Sequence, residues 1–123
     1  MITQEDIDAF KIVDVSATDY SYWVEEKILT QGKDRLVENV LGLVGEAGEV
    51  AEKVKKMVRD NKSINQKDIV KELGDVLFYT TAIANYFYSD LQSVMQTNMD
   101  KLNDRQLRGV LQGSGDNRWR RDG

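Results

Sequence analysis

The chain has 123 residues, 41% hydrophobic and 31% charged, which fits one folded domain with a modest core and disfavours wholesale disorder. It contains no cysteine and no histidine, so disulfide scaffolds, thiolate nucleophiles, sulfur-held zinc, imidazole bases and His-containing triads are all excluded. With 21 acidic against 17 basic residues the net charge is -4, so a nonspecific nucleic-acid surface is not expected and any metal chemistry must use oxygen ligands. A core this small favours completion by a second copy.

Taken in chain order, Thr3 followed three positions later by Asp6 reads as an approximate capping box, opening a short helix with Ile7 and Phe10 on one face and an end near Asp14. Tyr20, Tyr22, Trp23, Ile28 and Leu29 mark a second helix rich in aromatic bulk, with Gln31, Gly32 and Lys33 as its exit. From about Asp34 to Arg59, Leu36, Val40, Leu43, Ala47, Val50 and Val54 recur every three or four residues, the strongest helical pattern in the chain. Asp60 to Ser63 reads as a turn, Asn65 as the next N-cap, and Ile69, Leu73, Val76, Leu77, Thr80, Ala84 and Phe87 as the apolar stripe that follows. Ser89 is expected to cap a further helix carrying Val94, Met95, Met99 and Leu102. Proline is absent, and the short connections predict antiparallel neighbours in an all-α domain of at least four helical segments within residues 1–108. Residues 109–123, with four glycines, form a polar tail expected to be ordered by a ligand or partner, or not at all. No run approaches the roughly 18 apolar residues a membrane helix needs, and the first residues lack a basic and apolar leader pattern, so a cytoplasmic protein with no membrane partner is expected.

The carboxylates are arranged in pairs. Glu46 and Glu49 are three apart on the long helix, about 80° and about 140° from the centre of its apolar stripe, with Lys53 and Lys56 along the same flank. Glu72 and Asp75 repeat the spacing on the next helix, and Tyr79 follows one turn later. Antiparallel packing of these helices converges the two pairs, and four carboxylates in one volume repel unless hard cations such as Mg²⁺ or Mn²⁺ neutralise them. Such ions would bridge the acids to the phosphate oxygens of an anionic substrate. Solvated helix flanks explain the same spacing without function. Gly45 and Gly48 favour the functional reading, because glycine inside a helix costs about 1 kcal/mol and calls for a reason, though close helix packing alone is reason enough. Asn98, Lys101 and Arg105 follow at intervals of three and four, so one helix face can offer an amide and two cations, or equally a plain solvated strip. Arg118, Trp119, Arg120 and Arg121 are too short a basic run to support nucleic-acid binding in an acidic chain.

These residues resemble a known family. Gly42-Leu-Val-Gly-Glu-Ala-Gly-Glu-Val-Ala-Glu52, Lys71-Glu-Leu-Gly-Asp-Val-Leu-Phe-Tyr79, Asn98-Met-Asp-Lys-Leu102 with Arg105, and the tail Gly113-Ser-Gly-Asp-Asn-Arg118 are similar to the MazG-like all-α nucleoside triphosphate pyrophosphohydrolases, in the compact branch found in phages and bacteria. The resemblance covers about two-thirds of the chain and implies an all-α fold with an antiparallel four-helix catalytic core, completed as a dimer or a pair of dimers, that hydrolyses the α–β phosphate bond to a nucleoside monophosphate and pyrophosphate. It implies that Glu46, Glu49, Glu72 and Asp75 hold Mg²⁺, with Mn²⁺ a possible substitute. It further implies that Asn98, Lys101 and Arg105 contact phosphate or base, and that Ser114 and Arg118 belong to a tail closing over substrate; by position on their helices Tyr79, otherwise a core-edge residue, and Lys53 are further substrate-binding candidates. Gly45 stands where the longer MazG pattern has the first of two adjacent glutamates, as in the related deoxycytidine triphosphate pyrophosphatase branch, so no fifth ligand is assigned there, and Glu52 has the weaker claim. Tyr20, Tyr22 and Trp23 offer either a stacking wall for the nucleobase or packing in the core or a dimer. Two other readings remain open: hydrolysis of another pyrophosphate-bearing metabolite, such as phosphoribosyl-ATP or a guanosine alarmone, and a non-catalytic helical dimerisation or adaptor module.

Overall fold

The computed structural model describes residues 3–8 and 15–109. Five helices follow in order: α1 (Gln4–Asp8), α2 (Ala17–Lys27), α3 (Gly32–Asp60), α4 (Gln66–Tyr86) and α5 (Leu91–Leu107), with no strand among the described residues. The all-α expectation is met. Phe10 and the predicted end of the first helix near Asp14 lie outside the described residues, as do Ser114, Arg118 and the tail from residue 110 onward.

Local chemistry explains most boundaries. Thr3 and Asp6 exchange hydrogen bonds as a capping box, the Thr3 amide donating to Asp6 Oδ2 at 2.9 Å and the Asp6 amide to Thr3 Oγ1 at 3.1 Å. These bonds hold the Asp6 carboxyl below the usual range. Ser16 caps α2 by accepting from the Asp19 amide. That helix stops at Lys27, so Leu29 is 93% exposed rather than part of its apolar face, and Gly32 opens α3 instead of closing α2. The α3 C-terminus is closed by Asn61 in the left-handed region, φ 51°, with the Lys62 amide donating back to the Met57 carbonyl. Asn65 caps α4 as expected, accepting from the Lys67 amide at 2.9 Å. The cap of α5 is Asp90, not Ser89: Asp90 Oδ1 accepts from the Ser93 amide at 2.7 Å, while the Ser89 amide is used to close α4 by donating to the Ala84 carbonyl.

The α3–α4 hairpin is the frame of the molecule. It is antiparallel, because Gly42 meets Tyr79 while Glu46 meets Glu72 and Asp75 further toward the connecting turn. α2 packs against α4 and α5, and α5 against α4; among the described residues α3 approaches only α4 along its backbone. The core is small, centred on Val24, Ala82, Ala84, Leu91 and Thr81. The α3 stripe predicted as core is only partly covered: Leu36, Leu43 and Val50 are half-buried, whereas Val40, Ala47 and Val54 are exposed. The two most buried residues of α3 are polar, Arg35 and Asn39.

Candidate metal centre

Arg35, Asn39, Gly42 and Glu46 recur at intervals of four, three and four, which places them along one side of α3. The side chains of this row meet α4. At Gly42 a Cβ atom would come well under 3.0 Å from the Tyr79 ring, so the glycine is what lets that ring lie flat on α3. The two glycines singled out in the sequence behave differently: a Cβ at Gly45 or at Gly48 would have open space within 4 Å. Neither is required by packing among the described residues.

One helical turn beyond Gly42, Glu46 meets Glu72 and Asp75, and one carboxylate oxygen from each lies within 4.8 Å of the others. Three of the four predicted acids are therefore brought together. Glu49, exposed and one turn closer to the connecting turn, lies outside the triad, although its charge acts on Glu46. Hydrogen bonding to Glu72, then partial desolvation and the nearby charges of Asp75, Glu72 and Glu49, push the Glu46 carboxyl above its usual range. Glu72 Oε2 is buried and has no hydrogen-bond partner among the described residues. A carboxyl pushed up by its acidic neighbours, two further acids within reach and a buried acceptor with no donor among the described residues make an electrostatically frustrated set that a hard divalent cation fits.

The surroundings are aromatic on one side. Tyr20 and Trp23 of α2 stack at 5.7 Å between ring centroids and 26° between planes; Trp23 meets Phe78 edge-on at 6.1 Å, and Phe78 meets Tyr79 edge-on at 5.5 Å. Lys27 Nζ stands 5.6 Å from the Trp23 ring centre. Burial and the negative charge of Asp75 raise the Tyr20 phenol above its ordinary value, which places this aromatic face beside the acids. Val15, Asp19, Tyr20 and Trp23 line an open space of about 450 Å³ with mostly apolar walls.

The predicted cations are spread out. Lys53 lines a cleft near the connecting turn with Lys56, Met57, Asn65 and Asp68, two helical turns beyond Glu46. Asn98 and Lys101 line a separate recess of about 260 Å³ with Ser89, Ser93 and Thr97. Arg105 does not share their exposure: Asn98 is exposed and Lys101 half-buried, but Arg105 is buried, so the strip is not uniformly open. Sequence reasoning missed the pair behind this site, Glu25 with Arg35, because its members sit on different helices and neither carries a motif.

A family model described as the MazG nucleotide pyrophosphohydrolase domain matches residues 35–109. The chain belongs to the MazG family. The matched span opens at Arg35 and includes all four predicted acids, Tyr79 and the Asn98–Lys101–Arg105 strip. The chain is also 51% identical over 82 residues to the Gene 37 protein of Mycobacterium phage L5, an alignment that takes in 63% of this chain and 72% of the phage protein. That kinship agrees with the phage and bacterial branch of the family. No solved structure matches the chain. No described helix is long and apolar enough to cross a membrane.

Proposed function

We propose that this MazG-family chain is a Mg²⁺-dependent nucleotide pyrophosphohydrolase that converts a (deoxy)nucleoside triphosphate to its monophosphate and pyrophosphate. The observation that carries the reading is the frustrated triad, with Glu46 held above its usual range by Glu72 and a buried Glu72 Oε2 that has no donor among the described residues. Glu46, Glu72 and Asp75 would hold Mg²⁺, with Mn²⁺ able to replace it, and Glu49 is the fourth acid within one helical turn. When bound, the cation supplies charge neutralisation at phosphate and a water of lowered pKa. Water oxygen bonds to the α phosphorus, the bond to the bridging oxygen breaks, and pyrophosphate leaves with that oxygen. The chain has no cysteine or histidine to form a covalent intermediate, which agrees with direct attack by water.

The other assignments follow from this reading. Tyr20 and Trp23 form the wall against which the nucleobase stacks, flanked by Tyr79. Asn98 and Lys101 contact phosphate, with Lys53 as a further cation on the α3 side. Arg105, being buried, supports the strip from within, and Ser114 and Arg118 act from the tail that closes over substrate. The working form is a homodimer or a pair of dimers, consistent with the apolar surface left on α3.

Product analysis across ribo- and deoxynucleoside triphosphates, with and without Mg²⁺, tests the reading. The expected result is metal-dependent release of monophosphate and pyrophosphate, with no orthophosphate as first product. Turnover confined to phosphoribosyl-ATP or a guanosine alarmone would replace the triphosphate substrate, and absence of turnover on all of them would leave a non-catalytic dimerisation module.

A further inference from the structure

The face of α2 opposite the aromatic wall holds an ion-pair network that no sequence motif marks. Arg35 of α3 grips Glu25 of α2 in a fork, Nη1 to Oε2 and Nη2 to Oε1, each at 2.7 Å. Arg35 is 6% exposed, while the Glu25 side chain keeps 45% of its surface in solvent. Asn85 of α4 braces the pair, its Nδ2 donating to Glu25 Oε1 at 3.1 Å and to the Ser21 carbonyl at 3.0 Å. Ser21 Oγ in turn accepts from the Leu91 amide, tying the same face to the start of α5. The Arg35 hydrogen bonds, opposed by partial burial and aided by Arg35 charge and Asn85, hold the Glu25 carboxyl below its usual range, so the pair stays ionised near neutral pH.

This network is the described polar link between α2 and α3, whose backbones do not approach one another. α2 has 11 residues, too few to hold its place or even its helical state unaided. On the helix wheel Ser21 and Glu25 lie roughly 140° from Tyr20, Trp23 and Lys27, with the fully buried Val24 between the two faces. Anchoring one face therefore fixes the rotation at which Trp23 on the other meets Phe78, which lies three residues along α4 from Asp75. We propose that the Glu25–Arg35 pair, braced by Asn85, is a positioning latch that holds the Tyr20–Trp23 face of α2 against the Glu46–Glu72–Asp75 centre and so sets nucleotide affinity without touching the nucleotide. The affinity half of this inference rests on the proposed function. A planar guanidinium gripping both carboxylate oxygens fixes orientation as well as distance, which a lysine at position 35 could not do.

The test compares Arg35→Met, Glu25→Gln and Asn85→Ala in a Trp119→Phe background, where Trp23 is the sole tryptophan. Two readouts are taken: Trp23 emission and acrylamide quenching in the metal-free protein, and kcat and KM with Mg²⁺ and the preferred triphosphate. The latch predicts a red-shifted, more quenchable Trp23 and a KM raised about tenfold by Arg35→Met, with kcat within about twofold of the parent. Glu25→Gln, which keeps the shape of the contact, should fall between parent and Arg35→Met. Asn85→Ala keeps the test decisive if Arg35→Met does not fold. Unchanged Trp23 emission and quenching, or an unchanged KM beside a lower melting temperature, would overturn the latch and leave a purely structural ion pair. Absence of turnover in the parent would sink the proposed activity instead, and the emission and quenching results alone would then uphold or overturn the positioning of α2.

Discussion

At the scale of single residues, the decisive fact is that hydrogen bonding to Glu72, partial desolvation and the neighbouring acid charges push the Glu46 carboxyl above its usual range. Its raised carboxyl pKa means that the folded chain binds a proton more tightly there than the unfolded chain does. The stabilising contribution of that proton is complete below the ordinary glutamate range and is lost as pH rises through the raised value. Metal-free protein should therefore lose stability across that window, and Mg²⁺ should restore it above the window by replacing the proton. Glu46→Gln removes both effects: melting curves of the variant should be flatter with pH across that window and insensitive to Mg²⁺, while kcat/KM falls by about 100-fold or more. A variant that kept the Mg²⁺-dependent rise in melting temperature would show that the cation binds elsewhere. The acids themselves were legible in the sequence, because i, i+3 pairs on neighbouring antiparallel helices can converge. The position of Glu49 outside the triad was not, since spacing fixes a side of the helix but not which of two turns lies opposite Glu72. Arg35 was hidden for a related reason: it lies in the same row as Glu46, but its meaning depends on a partner ten residues earlier on another helix.

At the scale of elements, the helices follow from periodicity and the caps from competition for amides. Both Ser89 and Asp90 can cap a helix, and the contest was settled by the preceding one: Tyr88 takes a left-handed conformation, φ 59°, and commits the Ser89 amide to closing α4. Such a contest is invisible in a sequence read one helix at a time. The glycines teach the same lesson. Gly45 and Gly48 stand out by their neighbours, yet Gly42 is the one that packing requires, because Tyr79 lies over it. Gly42→Ala should lower stability by about 1–2 kcal/mol, the clash with the ring outweighing a helix-propensity gain of about 1 kcal/mol. Gly45→Ala, with open space around it, should gain roughly that propensity term instead. Chemical denaturation of the two variants distinguishes them by sign. A destabilised Gly45→Ala would mean that a second chain approaches α3 there.

At the scale of the whole molecule, one chain leaves too much apolar surface uncovered for its small core. Leu41 and Val44 are each 65% exposed and lie with Val37 along the side of α3 that α4 does not cover; on α4, Val70 and Leu73 are also more than half exposed. The periodicity of α3 promised a core-facing helix, and the small core favoured a second copy, but neither said which part of the α3 apolar surface one chain leaves exposed. Contiguous exposed patches of this kind mark association surfaces. Replacing Leu41 and Val44 by lysine places two charges where an apolar contact would form and leaves the α4 side of the helix untouched. The parent protein should sediment at twice the monomer mass or more and show a melting temperature that rises with protein concentration, because association stabilises the folded state by mass action. The double variant should sediment as a monomer, melt lower and lose the concentration dependence. A parent that stays monomeric throughout the concentration range would refute the proposed assembly, and the catalytic reading would then have to stand on a site built within one chain.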